Sequence, residues 1–409
     1  MNILHITELY GAGGAFQVAE QLHENLLKEG HNSYVICGYN RQNKPVKDKH
    51  SVLFEQNSML IFHENARRTL EQYNVINVFL LAKLFLFIKK HKIQIIHFHA
   101  MQGNFLTIAE IGIVSRMASS VVWTLHDAWT YTGGCMHYWN CLKWQNSECM
   151  NCTSELLCTD GTVPYRLFVR KEKQFLNRGI IFVSPSDWIY HEAQRSILRK
   201  EKIVTIYNGI DEKQFYPIDK DFLRRKYQLK KTEHYIMFCA ADIGSAYKGY
   251  RFLLKALKLL HNPEKYTLLI VGNGKLKKFE GFAVKYFGYV SNKKTLNDIY
   301  NMADIFVVPS LQDNFPCVTL EAMATETPVV AFPTGGIVNQ YTEKEGWFTK
   351  NKDAKELASK IEEALSDPQI LKEKGKKARE RCCKFFAEDR MYRNYKFIYT
   401  KCMEGIKKT

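Results

Sequence analysis

No stretch of this chain is apolar enough, for long enough, to cross a bilayer as a helix. The most hydrophobic segment, VFLLAKLFLFI at 78 to 88, is interrupted by Lys83 and falls short of the roughly 20 residues that a span requires. It reads as a helix facing a core, with a helix lying on a membrane surface as the rival. The first residues, MNILHITELYGAGG, have neither the charged leader nor the apolar centre of a signal peptide, so a cytosolic location is expected. Aromatic-studded basic motifs are lacking as well, which argues against nucleic acid as a partner. No D-x-D pair follows an apolar strand where it could hold a divalent ion, so no catalytic metal is expected.

What is present is the composition of an ordinary folded protein, 46% hydrophobic and 24% charged residues, which leaves little room for disorder. A length of 409 residues exceeds what one core organises and predicts two domains of nearly 200 residues each. The net charge of +16 is uneven, +5 over residues 1 to 200 and +11 over the rest. Runs such as KEKGKKARERCCK and LRRKYQLKK read most simply as solvated helix faces. The sharper alternative is attraction to anionic lipid headgroups or to a phosphorylated acceptor.

The stretch PSLQDNFPCVTLEAMATETPVVAFPTGG, 309 to 336, concentrates the chemistry. An apolar strand delivers the chain into the polar turn LQDN. Pro316 then suits a first helical position, where a missing N–H is harmless. Asp313 precedes the helix and Glu321 lies inside it, eight positions on. Two carboxylates beside the free amides of a helix start, with a second start at Gly335-Gly336, suit a phosphate and a polyhydroxylated ring.

Elsewhere short apolar runs alternate with amphipathic segments, the pattern of strand–helix–strand units on a parallel sheet. MNILHIT, NSYVICG, IQIIHFH and SVVWTLH read as strands of the first domain; YIMFCAAD, YTLLIVG and GFAVKYFGYV read as strands of the second. Residues 39 to 75 show no clear periodicity and read as loop with short helix. Gly11, Gly13 and Gly14 open the first helix, either to let a ligand approach the backbone or merely to pack strand against helix. His126 ends a strand, where open parallel sheets place ligands, with a core histidine as the alternative. Lys248 precedes a helix at the same kind of edge and is a phosphate candidate or a surface lysine. Gly272-Asn273-Gly274-Lys275 makes a second such turn.

Residues 128 to 160 form an insertion unlike the rest, with Cys135, Cys141, Cys149, Cys152 and Cys158. Cys149-x-x-Cys152 has the spacing of a zinc half-site, which Cys135 with Cys141 or His137 would complete. Disulfides of variable redox state and free thiols are the other readings. A catalytic metal is not expected there, because four protein ligands leave no open position.

The order G-x-G-G, HD, VSPS, NGID, KG and PS–acidic–x-F-P…EAMA…PVV…GG resembles the family 4 retaining glycosyltransferases over nearly the whole chain. Within them, VVWTLHDAWTYTGGCMHYWNC and PSLQDNFPCVTLEAMA are similar to the colanic-acid type of exopolysaccharide glycosyltransferase with its cysteine-rich insertion. The resemblance implies an α/β protein of GT-B architecture, two facing Rossmann-like doubly wound domains with a central cleft. The polar linker EKQFYPIDKD places the domain boundary beside it, giving an acceptor domain at 1 to 212, a donor domain at 213 to 386 and a C-terminal helix, 387 to 409, that packs back towards the first domain. The implied donor is a nucleotide sugar. The implied acceptor is a glycan on a polyprenyl diphosphate at the cytoplasmic membrane face, with peripheral membrane contact. Residue by residue, Glu321 would accept from the donor ribose and Asp313 would approach the transferred sugar. Lys248 would offset diphosphate charge, and Gly13 and Gly14 would face phosphate or acceptor. His126 would contact the donor sugar, with Asn208, Asn314, Phe315, Pro316 and Lys275 lining the donor site.

There are departures. Asp313 stands for the usual Glu and Asn314 for the usual Gly, so the carboxylate reaches one methylene less far. The loop ADIGSAYKG lacks the arginine that usually precedes the KG lysine, a place that Lys275 or a first-domain residue would fill. Glu326 stands where glycine is common. The competing functions are a nucleotide-sugar 2-epimerase of the same architecture, a nucleotide-sugar-binding protein without turnover, and a dinucleotide oxidoreductase.

Overall fold

The computed structural model describes residues 1–11, 13–40, 50–53, 71, 73, 75–152, 162–229, 234–274 and 283–406. Most of the stretch 39 to 75 lies outside the described residues, as do Cys158 and Lys275. The chain divides into two compact units, residues 1–207 with 392–409 and residues 208–391.

The first unit is built on seven parallel strands: β1 (Asn2–Leu9), β2 (Asn32–Tyr39), β3 (Ser51–Leu53), β4 (Ile95–His99), β5 (Ser120–Thr124), β6 (Ile181–Ser184) and β7 (Lys202–Thr205). Their order is β3-β2-β1-β4-β5-β6-β7. β1 and β4 are almost wholly buried, as expected of strands covered on both faces. Phe98, Trp123, Phe175 and Phe182 form the aromatic centre of the core, where each fully buried large side chain contributes about 1.5–3 kcal/mol.

The second unit repeats the plan with β8 (His234–Asp242), β9 (Tyr266–Asn273), β10 (Ala283–Tyr286), β11 (Ile305–Val308), β12 (Val329–Ala331) and β13 (Gly346–Phe348), ordered β10-β9-β8-β11-β12-β13. All neighbours are parallel. Each sheet reverses its winding once, between β1 and β4 and between β8 and β11. A doubly wound sheet binds its ligand outside the strand ends at that point.

The sequence places a boundary after 212, whereas the structure groups Asn208 onward with the second unit. Asn208 Nδ2 donates to the Phe315 carbonyl at 3.0 Å, and Ile210 bridges Ala387. The terminal helix, Glu388–Ile406, supplies Tyr392, Tyr395 and Tyr399 to the first unit: Tyr392 and Lys396 each reach Glu29 at 2.7 Å.

The helix Val78–Lys90 starts at Asn77, whose side chain accepts from the Leu80 amide, an N-cap that satisfies one orphan donor. It buries Leu80, Leu81, Leu84 and Ile88 and leaves Val78, Phe79, Phe85 and Leu86 exposed. One face is therefore core and the other an apolar surface. Among the described residues no helix is long and apolar enough to cross a membrane. Glu326 carries a φ of 60°, the left-handed conformation for which glycine is the usual choice, which accounts for the family's preference there.

Candidate active site

The second unit gathers its site at the β8/β11 reversal. After β8 the chain makes a short 3-10 turn, Ala246–Lys248, and Gly249 then turns it into the helix Tyr250–Leu257 with a φ of 69°. A Cβ on Gly249 would lie 1.7 Å from the Pro309 carbonyl oxygen, so the glycine of the KG pair lets this turn press against the chain leaving β11. Gly335 does the same from the other side, since a Cβ there would meet the Asp313 carbonyl oxygen at 1.8 Å. The Gly336 amide donates to that carbonyl at 3.1 Å. Two glycines thus clamp the backbone of 309 to 313.

The clamp brings Lys248 Nζ to 2.6 Å from Asp313 Oδ2, which also accepts from Ser310 Oγ at 3.2 Å. Burial pulls the Lys248 pKa down, but the adjacent Asp313 overcomes it and raises the value above that of an ordinary lysine. Lys248 is therefore fully charged at neutral pH. Its aliphatic stem leaves the ammonium 5.1 Å from the Tyr247 ring. This ion pair joins two groups to which the resemblance assigns diphosphate and sugar.

Glu321 lies in the helix Cys317–Ala324, which Pro316 precedes as N-cap rather than as first helical residue. The difference is one position. The Pro316 carbonyl accepts from Gln340 Nε2 at 2.9 Å and so remains tied to the second glycine-led helix. Glu321 is 5% exposed and accepts from the Tyr300 hydroxyl at 2.9 Å. Burial above all, and the Glu321 carboxylate, push Tyr300 well above the usual phenol range, so it stays a donor. Asn314 and Phe315 are buried, and Phe315 packs edge-on against Phe386. Cys239 and Cys317 lie close enough to Glu321 for its charge to help burial raise both thiols to about 12.

The first unit gathers a different set at its own reversal. Glu8 ends β1 and accepts from the Gln102 amide at 2.6 Å and the Asn104 amide at 2.9 Å through one oxygen, and from Asn104 Nδ2 at 2.9 Å through the other. Burial outweighs these bonds and raises its pKa to about 7. Gln102 Nε2 in turn donates to Asp127 at 2.9 Å, which fixes the turn bearing His126. His126 Nε2 lies 3.1 Å from His99 Nδ1, and His99 Nε2 lies 3.2 Å from His5 Nδ1. Burial depresses all three: His5 and His126 to about 3, His99 well below the usual imidazole range. Gly13, with a φ of 78° and space around a would-be Cβ, opens the helix Gly13–Lys28, and Gly14 is exposed beside it.

Among the described residues, one trio of candidate metal-ligand atoms lies within 4.8 Å of one another, His5, His97 and His99. His97 cannot serve, because Nδ1 is 2.7 Å from the Tyr399 hydroxyl and Nε2 is 2.8 Å from Thr124 Oγ1. The cysteines expected as zinc ligands form no such trio among the described residues. They are nonetheless neighbours: burial raises Cys135 to about 12, and Cys149, Cys152 and Cys141 add to the rise. No disulfide joins the described cysteines. Tyr300, Ser310, Glu8, His99 and His5 were not singled out from sequence. For Glu8, His5 and His99 the signal was a polar residue inside an otherwise apolar strand, such as the two histidines of IIHFH; Tyr300 and Ser310 carried none.

The comparisons with known proteins agree with this geometry. Residues 12–214 match the model described as Glycosyltransferase Family 4 and residues 233–367 match that described as Glycosyl transferases group 1. A protein of Escherichia coli (strain K12) named as a colanic acid biosynthesis glycosyl transferase, WcaC, is 25% identical over 357 residues, 81% of this chain and 83% of its own length. The N,N'-diacetylbacillosaminyl-diphospho-undecaprenol alpha-1,3-N-acetylgalactosaminyltransferase of Campylobacter jejuni is 26% identical over 257 residues, 59% of this chain and 64% of its own. Among solved structures, sucrose-phosphate synthase from Thermosynechococcus elongatus superposes with a TM-score of 0.77 at 20% identity, covering 99% of both chains.

Proposed function

We propose, from the premise that this chain belongs to the family 4 glycosyltransferases of GT-B fold, that it moves a sugar with retention from a nucleotide-sugar donor to a lipid-linked glycan acceptor in surface-polysaccharide synthesis. The observation that carries the reading is the second unit's site, where a charged lysine and two carboxylates are held at a helix start by glycine clamps. Glu321 accepts from the ribose hydroxyls. Lys248 exchanges Asp313 for the diphosphate and neutralises charge as the nucleotide leaves. Asp313, so released, meets a sugar hydroxyl, and His126 holds another. The acceptor hydroxyl attacks from the face the nucleotide vacates, and the departing phosphate takes its proton.

The acceptor class is supported by two relatives, one named for colanic acid biosynthesis and one for transfer to N,N'-diacetylbacillosaminyl-diphospho-undecaprenol. The exposed Val78, Phe79, Phe85 and Leu86 beside Lys83, Lys89 and Lys90 suit peripheral contact with an anionic leaflet. Catalysis needs no metal in this reading. A structural zinc at Cys135, Cys141, Cys149 and Cys152 rests on the Cys149-x-x-Cys152 spacing, since no three of these thiols gather within ligating distance among the described residues, and metal analysis of the purified protein checks it.

A thermal-shift panel of UDP-, GDP-, ADP- and dTDP-sugars, followed by transfer to a polyprenyl-diphosphate glycan, tests the assignment. One donor should stabilise the protein, and product should form only with acceptor present and survive EDTA. Conversion of donor to a 2-epimer without acceptor would replace it with the epimerase reading.

A further inference from the structure

His5, His99 and His126 form one continuous hydrogen-bonded chain of imidazoles that runs from the centre of the first sheet to its ligand-binding edge. Their contacts are 3.2 Å between His5 Nδ1 and His99 Nε2, and 3.1 Å between His99 Nδ1 and His126 Nε2. The rings of His99 and His126 are stacked at 27° with centroids 5.4 Å apart. His5 and His99 are fully buried, and burial keeps all three rings neutral at neutral pH. His97, the remaining imidazole beside them, is engaged by Tyr399 and Thr124 and takes no part.

A neutral imidazole has one donor nitrogen and one acceptor nitrogen. His99 uses both of its nitrogens in the chain, so its single proton couples the two bonds, and only two proton arrangements satisfy both contacts. In one, His5 donates to His99 and His99 donates to His126, which leaves His126 with its proton on Nδ1. In the other every bond is reversed and His5 carries its proton on Nε2. The two arrangements differ at the inner end, because His5 Nε2 is buried without a partner. The first arrangement leaves a lone pair there and the second leaves an N–H. A buried N–H without an acceptor is the rarer and costlier defect.

We propose that His5 and His99 are positioning residues that hold His126 in the Nδ1–H tautomer, so that this ring offers a fixed donor to a hydroxyl of the transferred sugar. The role in transfer rests on His126 as the sugar contact, whereas the tautomer itself does not. A ring free to exchange tautomers would present an acceptor part of the time and lose that contact. Fixing it through His5 and His99 costs the protein two fully desolvated imidazoles and removes the exchange.

The test uses the full-length protein labelled with 15N in its histidine rings, with His126 assigned by the signal missing from His126→Gln. The expected wild-type spectrum shows His126 protonated on Nδ1. In His99→Phe, which keeps the ring volume but no nitrogen, His126 should shift to a tautomer mixture, and kcat should fall about tenfold with donor KM unchanged. His99→Asn, whose amide nitrogen stands near the Nδ1 position, should restore both the tautomer and most of the rate. Nε2 protonation of His126 in the wild type would overturn the proposal, as would a His126 spectrum unmoved in His99→Phe. A correct tautomer with no sugar transfer by any variant would instead sink the glycosyltransferase reading of His126 and leave the positioning chain standing.

Discussion

The two units share a strand order and place their polar residues at the same topological point, yet they equip it with opposite chemistry. In the first, the reversal between β1 and β4 is lined by imidazoles that burial keeps neutral, beside Glu8, whose carboxyl burial raises to about 7. In the second, the reversal between β8 and β11 carries a formal ion pair, Lys248 with Asp313, beside the carboxylate of Glu321. The fold therefore settles where a ligand is met, and local burial settles whether it is met by charge or by oriented hydrogen bonds. A donor diphosphate needs the charged edge; a sugar hydroxyl is better served by the neutral one.

The largest effect is expected where charge is removed from the second unit. Lys248→Met should lower kcat by about 10²–10³-fold, the range for losing a single transition-state charge contact, and donor KM should rise as well, because the same ammonium meets the diphosphate of the bound donor. Lys248→Arg should recover part of the loss. If the methionine variant kept its rate, the charged edge would not serve the leaving group and the contrast between the units would fail. Glu321→Ala comes next. Losing charged hydrogen bonds of about 1.5–3 kcal/mol should weaken nucleotide binding roughly 10- to 100-fold by calorimetry, with or without the sugar attached. Unchanged binding would sink its role as ribose anchor.

Acid should separate the units in a third way. His5, His97, His99 and His126 have folded pKa values below the ordinary imidazole value, so the unfolded chain binds more protons as pH falls below about 6.5 and the first unit is destabilised. Glu8 and Glu71, each raised to about 7, and Asp127, raised above its usual value, act in the opposite sense, but with His31 and His91 also depressed the imidazoles outnumber them. Lys171, lowered by burial to about 7, acts in the same sense as the imidazoles but above this pH range. Each unbalanced proton is worth about 1.4 kcal/mol per pH unit. In the second unit burial raises Asp304, but Lys220 and Arg224 overcome it and hold the carboxyl below its ordinary value. That contribution is lost only once pH falls through this lower value. Hydrogen exchange at pH 5 should show the first unit opening before the second. Simultaneous opening would mean that the imidazole cluster is not the acid-sensitive part.

Sequence alone showed the alternation of strands and helices on parallel sheets and the glycine turns at 248–249 and 335–336, because each rests on local chemistry: glycine where the backbone must turn, an apolar run before it. Gly249 and Gly335 even reveal why, once their neighbours Pro309 and Asp313 are known. The histidine chain was not legible. His5 and His97 sit opposite one another in register, while His99 and His126 come from consecutive strands, and a single sequence carries no record of that lateral pairing. Tyr300 was hidden for a similar reason, since twenty-one positions separate it from Glu321 and its helix reads as an ordinary amphipathic one. The insertion's cysteines gave a clear spacing pattern, yet no three of the described thiols gather as a metal site.

The smallest prediction sharpens the contrast most. Tyr300 stands to Glu321 as His99 stands to His126: each is buried, each touches one proposed ligand contact, and each acts through a single hydrogen bond. The consequences of removing them should differ. Tyr300→Phe deletes one hydrogen bond to Glu321 Oε2 and leaves the carboxyl itself in place, a cost of about 0.5–1.5 kcal/mol. Donor KM should rise about two- to tenfold while kcat stays constant, because a ribose anchor binds ground state and transition state alike. His99 controls the identity of the group it touches, and its loss should appear in kcat. Steady-state kinetics of the two phenylalanine variants, run side by side at saturating acceptor, distinguish the cases. A fall in kcat for Tyr300→Phe would show that Glu321 acts in the chemical step as well as in binding, and the division between a charged binding edge and a neutral positioning edge would no longer hold.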